Sequence, residues 1–144
     1  MRIMAVDNGD VRTGVAVSDA SGTLTGEAWV ITEVSEKAKV KRIITEAEER
    51  GVSAIVIGYP KNMNGTAGPR AEKSEKLAES IRNECDIEVV LWDERMTTMS
   101  ANRILTDSGK RGKKRKKTID AVAASLILEG YLGFLKHQLN NNAL

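Results

Sequence analysis

The sequence is poor in the residues that most enzymes use for nucleophilic or metal chemistry. It has one cysteine, Cys85, so no internal disulfide can form and no Cys-x-x-Cys pair suggests redox chemistry or zinc. Its one histidine, His137, lies near the C-terminus, which argues against a Ser-His triad and a histidine-ligated metal. Aromatic residues make up 3% of the chain, too few for a row of base-stacking platforms. Trp29, Trp92, Tyr131 and Phe134 read as core, leaving Tyr59 near any cleft. The most apolar stretch, residues 119–135, carries Asp120 and Glu129 and reads as a buried helix, not a membrane span. The apolar run at the start, residues 1–7, is too short for a signal peptide. No P-loop is present, because Gly58 is followed five residues on by Met63 and not by Gly-Lys-Ser/Thr. The expectation is a cytoplasmic protein whose chemistry falls to carboxylates, lysines and hydroxyls.

What remains is enough for one folded domain, expected over residues 1–144: 41% of residues are hydrophobic and 29% charged. The net charge of +2 conceals an asymmetry. Seven basic residues fall between positions 110 and 117, namely Lys110, Arg111, Lys113, Lys114, Arg115, Lys116 and Lys117, and without them the chain carries −5. Such a block is either a solvated, self-repelling loop or a contact for a polyanion, most often nucleic acid.

Hydrophobic patterning predicts strands over residues 2–7, 14–19 and 23–32, joined by short turns that favour an antiparallel meander. A helix follows, with Ser35 as N-cap, Val40, Ile43, Ile44 and Ala47 on its inner face and Gly51 as its stop. Residues 54–58 form an unbroken apolar run of the kind buried on both faces of a parallel sheet. A polar loop over 62–68 leads to Pro69 at the first position of a helix with Ala71, Ser74, Ala78 and Ile81 inward. Residues 87–92 read as a fifth strand and 99–105 as a short helix. The basic loop then precedes a long helix capped by Thr118, with Ile119, Val122, Ala123, Leu126, Ile127 and Gly130 as its inner stripe. The order βββ-α-β-α-β-α(α) predicts an α/β fold: a mixed five-stranded sheet with helices on both faces, the ribonuclease H-like architecture.

The acids fall where such a sheet would gather them. Asp7 ends the first strand, Asp93 and Glu94 end the last, and Asp120 opens the last helix. Ligands in α/β sheets bind at the carboxyl ends of the strands. Clustered carboxylates repel one another, and a divalent cation resolves the conflict: Mg²⁺ takes a few carboxylates, waters and a substrate phosphate. Two such ions roughly 4 Å apart clamp both oxygens of a phosphodiester displacement. Each acid also has a plain structural use as a strand terminator or helix-dipole partner. Alternation points Asp93 and Glu94 to opposite faces, so pattern leaves the choice between them open.

Four blocks carry a resemblance to a known family. Asp7-Asn8-Gly9-Asp10-Val11-Arg12-Thr13-Gly14-Val15-Ala16-Val17-Ser18-Asp19 resembles the opening motif of the YqgF (RuvX-like) family. Gly58-Tyr59-Pro60-Lys61-Asn62-Met63-Asn64-Gly65-Thr66, followed by Pro69-Arg70-Ala71, resembles its glycine loop and next helix. Asp93-Glu94-Arg95-Met96-Thr97-Thr98 and Lys116-Lys117-Thr118-Ile119-Asp120-Ala121-Val122-Ala123-Ala124 resemble its last two motifs. The resemblance covers essentially the whole chain. It implies a ribonuclease H-like metal-dependent endonuclease using Mg²⁺ or Mn²⁺, associated with 5′-end processing of precursor 16S ribosomal RNA. The alternative substrate is a four-way DNA junction, as in a Holliday junction resolvase. By the same resemblance the catalytic and metal-binding carboxylates are Asp7, Glu94 and Asp120. The expected nucleic-acid contacts are Gly9, Arg12, Asn62, Thr66, Arg70, Arg95, Lys113, Lys114, Arg115, Lys116 and Lys117. Two positions depart from the family pattern: Asp10 stands where Thr or Ser is frequent, and Asn64 where Asp is frequent. A sugar-kinase or ATPase of the actin–Hsp70 type shares the opening Asp-x-Gly but needs two such domains. A non-catalytic nucleic-acid-binding module is opposed by the intact acidic trio.

Overall fold

The computed structural model describes the backbone of residues 1–62, 64–96 and 112–142, and their side chains except at 96, 112–120 and 140–142. The elements are β1 (Arg2–Asp7), β2 (Arg12–Ser18), β3 (Thr25–Thr32), α1 (Glu36–Glu49), β4 (Val52–Tyr59), α2 (Pro69–Glu84), β5 (Glu88–Asp93), a 3₁₀ turn (Glu94–Met96) and α3 (Gly112–Asn142). The helix expected over 99–105, with Thr97 and Thr98 before it, and the basic residues Lys110 and Arg111 lie outside the described residues.

The strands form one sheet in the order β3-β2-β1-β4-β5. β1 pairs antiparallel with β2, and β2 antiparallel with β3, through the short turns the sequence predicts. β1–β4 and β4–β5 are parallel, because α1 and α2 carry the chain back across the sheet between them. The carboxyl ends of β1, β4 and β5 therefore share one edge.

Side-chain alternation divides the core into two layers. Met4, Val6, Val15, Ile55 and Ile57 pack on one face against Val40, Ile43 and Ala47 of α1 and Leu77, Ala78 and Ile81 of α2. Ile3, Ala5, Ala16, Val56 and Trp92 pack on the other against Ala124, Ile127, Leu128, Tyr131 and Leu132 of α3. β4 is buried on both faces, as its unbroken apolar run requires. Ile43, Ile55, Ile57 and Leu77 are wholly buried, each stabilising the fold by roughly 1.5–3 kcal/mol through removal from water. Ser35 Oγ accepts from the Ala38 N–H at 3.3 Å to cap α1, and Pro69 opens α2.

The last helix differs from the sequence expectation in three respects. It begins at Gly112, so Lys113, Lys114, Arg115, Lys116 and Lys117 lie on helical backbone, not in a loop, and Thr118 is an interior residue, not the cap. Lysine and arginine are good helix formers, and no Gly or Pro between 113 and 129 interrupts the run. Its buried stripe is Ala124, Ile127, Leu128, Tyr131 and Leu132, rotated from the expected one. Residues 121–128 are apolar on most sides, so periodicity alone does not choose the face. Phe134, expected in the core, is 42% exposed, although it still touches the Trp92 ring at a centroid distance of 5.5 Å. Among the described residues, no helix is long and apolar enough to cross a membrane.

Candidate active site at the carboxyl edge of the sheet

Asp7 ends β1 on the face that α3 covers, since Ile3 and Ala5 at the same parity pack there. Its partner on β2 is Gly14. On β4, Ile57 pairs with Val6, so the next residue, Gly58, lies beside Asp7. Asp7 is thus flanked by glycine on both neighbouring strands, each roughly 4.8 Å away. Glu94 fills the gap over Gly58: a Cβ built on that glycine would lie 3.0 Å from Glu94 Cδ, 3.2 Å from Glu94 Cγ and 2.7 Å from Ile127 Cδ1. The Glu94 carboxyl therefore folds back across β4 towards the Asp7 strand. Burial pushes it above the usual carboxylate range, opposed by the nearby Arg70 charge and reinforced by Asp93.

Asp93 has a different task. Its carboxylate accepts from the Arg95 backbone N–H at 2.9 Å and from Arg95 Nη2 at 2.7 Å, with Nε at 3.0 and 3.1 Å from its two oxygens. These bonds hold its carboxyl below the usual range. Geometry thus separates two acids that pattern left equivalent. The Arg95 guanidinium, expected as a nucleic-acid contact, is paired with Asp93 and 38% exposed.

The turn after Asp7 is tied to both helices on the opposite face. Lys39 of α1, buried to 5% exposure, donates from Nζ to Asn8 Oδ1 and to the Gly9 carbonyl, each at 2.8 Å. Burial lowers its pKa, while Glu36 and Asp10 oppose that shift. Lys73 of α2 pairs with Asp10 at 2.7 Å. The departure at position 10 therefore adds no unbalanced charge. Gly9 is required by the turn, because a Cβ there would lie 2.1 Å from the Arg12 carbonyl oxygen. Neither lysine was singled out by sequence reading. A lysine one position before the inner stripe of α1 was the available signal.

The loop between β4 and α2 is closed by its own polar groups. Asn62 Nδ2 donates to Thr66 Oγ1 at 3.0 Å, and Asn64 Oδ1 accepts from both the Thr66 N–H and Oγ1–H, at 3.1 and 2.7 Å. Asn62 and Thr66, expected as nucleic-acid contacts, are bonded to each other and shape the loop. Asn64 makes its bonds through a carbonyl oxygen, which an Asp carboxylate would also supply. Arg70 is exposed in the first turn of α2, and its charge reaches Glu94 and Asp10. Arg12, at the start of β2, shares the parity of Gly14 and lies at the same edge.

Asp120 belongs to α3 by its backbone, while its side chain is outside the described residues. The next residues, Ala121 and Val122, line a groove with Ala28, Val30 and Thr32 of β3. Val30 pairs with Gly14, the partner of Asp7, so this turn of α3 crosses the sheet at the level of Asp7. Among the described residues, no three Asp, Glu, His or Cys side chains are grouped closely enough to hold a metal ion.

The mixed β3-β2-β1-β4-β5 sheet flanked by helices is the ribonuclease H-like fold. Solved structures share it: the T. thermophilus RuvC in complex with Holliday junction substrate superposes with a TM-score of 0.60 at 13% identity, over 93% of this chain and 96% of that one. The fowlpox virus resolvase with its junction DNA gives 0.55 at 10% identity, over 94% and 99%. Residues 1–133 match the family described as "RuvX: Holliday junction resolvase", and the chain belongs to it. A Geobacillus kaustophilus (strain HTA426) relative named "Putative pre-16S rRNA nuclease" is 46% identical over 92% of this chain and 97% of its own length. A Clostridioides difficile (strain 630) relative of the same name is 44% identical over 92% and 94%.

Proposed function

We propose that this chain is a divalent-metal-dependent endonuclease that hydrolyses phosphodiester bonds in structured RNA, with the 5′ end of precursor 16S ribosomal RNA as its substrate. The observation that carries the reading is the Glu94 carboxyl packed over Gly58, beside Asp7, at the carboxyl edge of a ribonuclease H-like sheet. The names of the relatives support the choice of RNA.

The donor set suits a hard cation. Asp7 and Glu94 offer carboxylate oxygens in a gap that two glycines keep open, and a buried carboxyl held above its usual range gains most from a positive charge beside it. Asp120 is the third ligand in this reading. The buried stripe of α3 runs through 124, 127, 128, 131 and 132, and the same repeat carried backwards passes through position 120. When bound, Mg²⁺ or Mn²⁺ supplies Lewis-acid charge and lowers the pKa of water. Asp7, Glu94 and Asp120 would hold it, and Arg70 and Arg12 would hold the phosphate strand at the edge. In the reaction, water oxygen bonds to phosphorus, the bond from phosphorus to the leaving sugar oxygen breaks, and that oxygen takes up a proton.

The basic residues 113–117 occupy the first turns of α3, which contain no acid. Cations at a helix N-terminus oppose the macrodipole, typically by 0.3–1 kcal/mol. A polyanion lying there reverses that cost, so Lys113, Lys114, Arg115, Lys116 and Lys117 serve as its grip. With no aromatic row to stack bases, recognition rests on backbone charge and shape.

Cleavage of a precursor 16S transcript with end mapping, beside a synthetic four-way DNA junction, tests the reading. Asp7→Asn is expected to lose at least about 100-fold in kcat, as when one charge-stabilising group is removed, while RNA binding persists. Full activity of Asp7→Asn refutes the mechanism. Preferential cutting of the junction favours the resolvase reading, for which the family description speaks.

A further inference from the structure

We propose that Lys39 is a positioning residue for the carboxylate site, its buried ammonium clamping the two residues that follow Asp7. The proposal rests on the nuclease reading in treating Asp7 as catalytic, while the clamp itself stands on geometry. Nζ donates to Asn8 Oδ1 and the Gly9 carbonyl, both at 2.8 Å. The lysine is 5% exposed, and it reaches this turn from α1, on the face of the sheet opposite α3.

A buried ammonium is a costly way to fill space, since an unbranched apolar side chain fills the same volume without desolvating a charge. Its directed bonds are what an apolar residue lacks. Both acceptors lie within two residues of Asp7, so the clamp fixes the peptide planes that set where β1 ends and how its last carboxylate is aimed. The turn has little slack of its own, because Gly9 approaches the Arg12 carbonyl too closely to accept even a methyl group. The second tie, Lys73 to Asp10, joins side chains that are 56% and 76% exposed. An exposed pair of that kind is weak and screened by salt. Lys39 is therefore the main anchor; Glu36 and Asp10 oppose the downward shift that burial and the neighbouring Lys73 charge impose on its ammonium.

The test uses the full-length protein with Lys39→Met, Asn8→Ala and the double variant, each read by three measurements. These are hydrogen exchange of the 8–13 segment, Mn²⁺ affinity by electron paramagnetic resonance, and kcat and KM on a precursor 16S transcript. Lys39→Met is expected to speed exchange in 8–13 by about 10-fold without speeding it in β4 or α2. Its kcat should fall about 10–100-fold, the scale on which small misplacements act, with KM for RNA changed less than about 2-fold. Because Asn8 and Lys39 share one contact, the double variant should be little worse than Lys39→Met alone. Unchanged exchange in 8–13, or faster exchange with wild-type kcat and Mn²⁺ affinity, overturns the proposal. If Lys39→Met does not fold, Asn8→Ala decides by the same criteria. If the wild type cleaves no substrate, the nuclease reading fails, and exchange together with Mn²⁺ affinity still decides the role of Lys39.

Discussion

Replacing Gly58 with alanine probes the proposed active-site packing with a single methyl group. The new Cβ would lie 2.7 Å from Ile127 Cδ1 and 3.0 Å from Glu94 Cδ. Carbon atoms rest at roughly 3.5–4.0 Å, so the first contact is about 0.8 Å too close and the second about 0.5 Å. Ile127 is 1% exposed within the α3 layer and has nowhere to retreat without repacking. The Glu94 carboxyl, at the edge, yields first and moves away from Asp7. Overpacking of this size costs about 1–3 kcal/mol, which for a chain of this length lowers Tm by about 3–10 °C. Displacement of Glu94 should in addition weaken Mn²⁺ binding and lower kcat at temperatures where the variant is fully folded. Circular dichroism melts and single-turnover cleavage read the two effects separately. A variant that melts and cleaves like the wild type would show that Glu94 does not lie over Gly58 and that the acids do not converge as described.

Two further outcomes follow from charge. The Glu94 carboxyl is held above its reference value of 4.5 by burial, so the folded state loses stability as pH rises from the unfolded value through the folded one. Glu94→Gln removes that loss: in chelator at pH 7 it should melt above the wild type, with the difference vanishing below about pH 4.5 and narrowing when Mn²⁺ is added. A lower melting temperature for the variant at pH 7 without metal refutes the reasoning. Replacing Lys113, Lys114 and Arg115 by glutamine should flatten the dependence of log K on log salt by about 2–3 on duplex RNA, measured by fluorescence anisotropy. An unchanged slope removes these residues from the interface.

Much of the architecture was legible because its signals are local. The apolar run of β4, the Ser35 cap, the glycine stop at position 51 and Pro69 each act through neighbours in sequence, and each appears as expected. That the carboxyl ends of β1 and β5 share one edge followed from topology, which strand order and connection length decide. Less was legible where the answer lies in the third dimension. Asp93 and Glu94 differ because Arg95 engages one and Gly58 makes room for the other, and neither fact has a sequence period. Lys39 was missed because a lysine in an amphipathic helix reads as solvated unless its acceptors are known. The start of α3 was misplaced because a dense basic run suggests self-repulsion, while the helix propensity of lysine and arginine works in the opposite direction.

One consequence of α3 reaches beyond the packing it provides. Positions 113, 116, 117 and 120 recur at intervals of three and four, so they ride on a single side of one continuous rod. The rod is seated in the sheet by Ala124, Ile127 and Leu128. The cationic run and the acid at 120 are thus phase-locked: their separation is a fixed multiple of the helical rise, about 1.5 Å per residue. In the proposed reading, a phosphate strand gripped by the rod would meet the proposed metal ligands at a set offset, as by a ruler, and a contour that cannot match that offset would be turned away before any bond is broken.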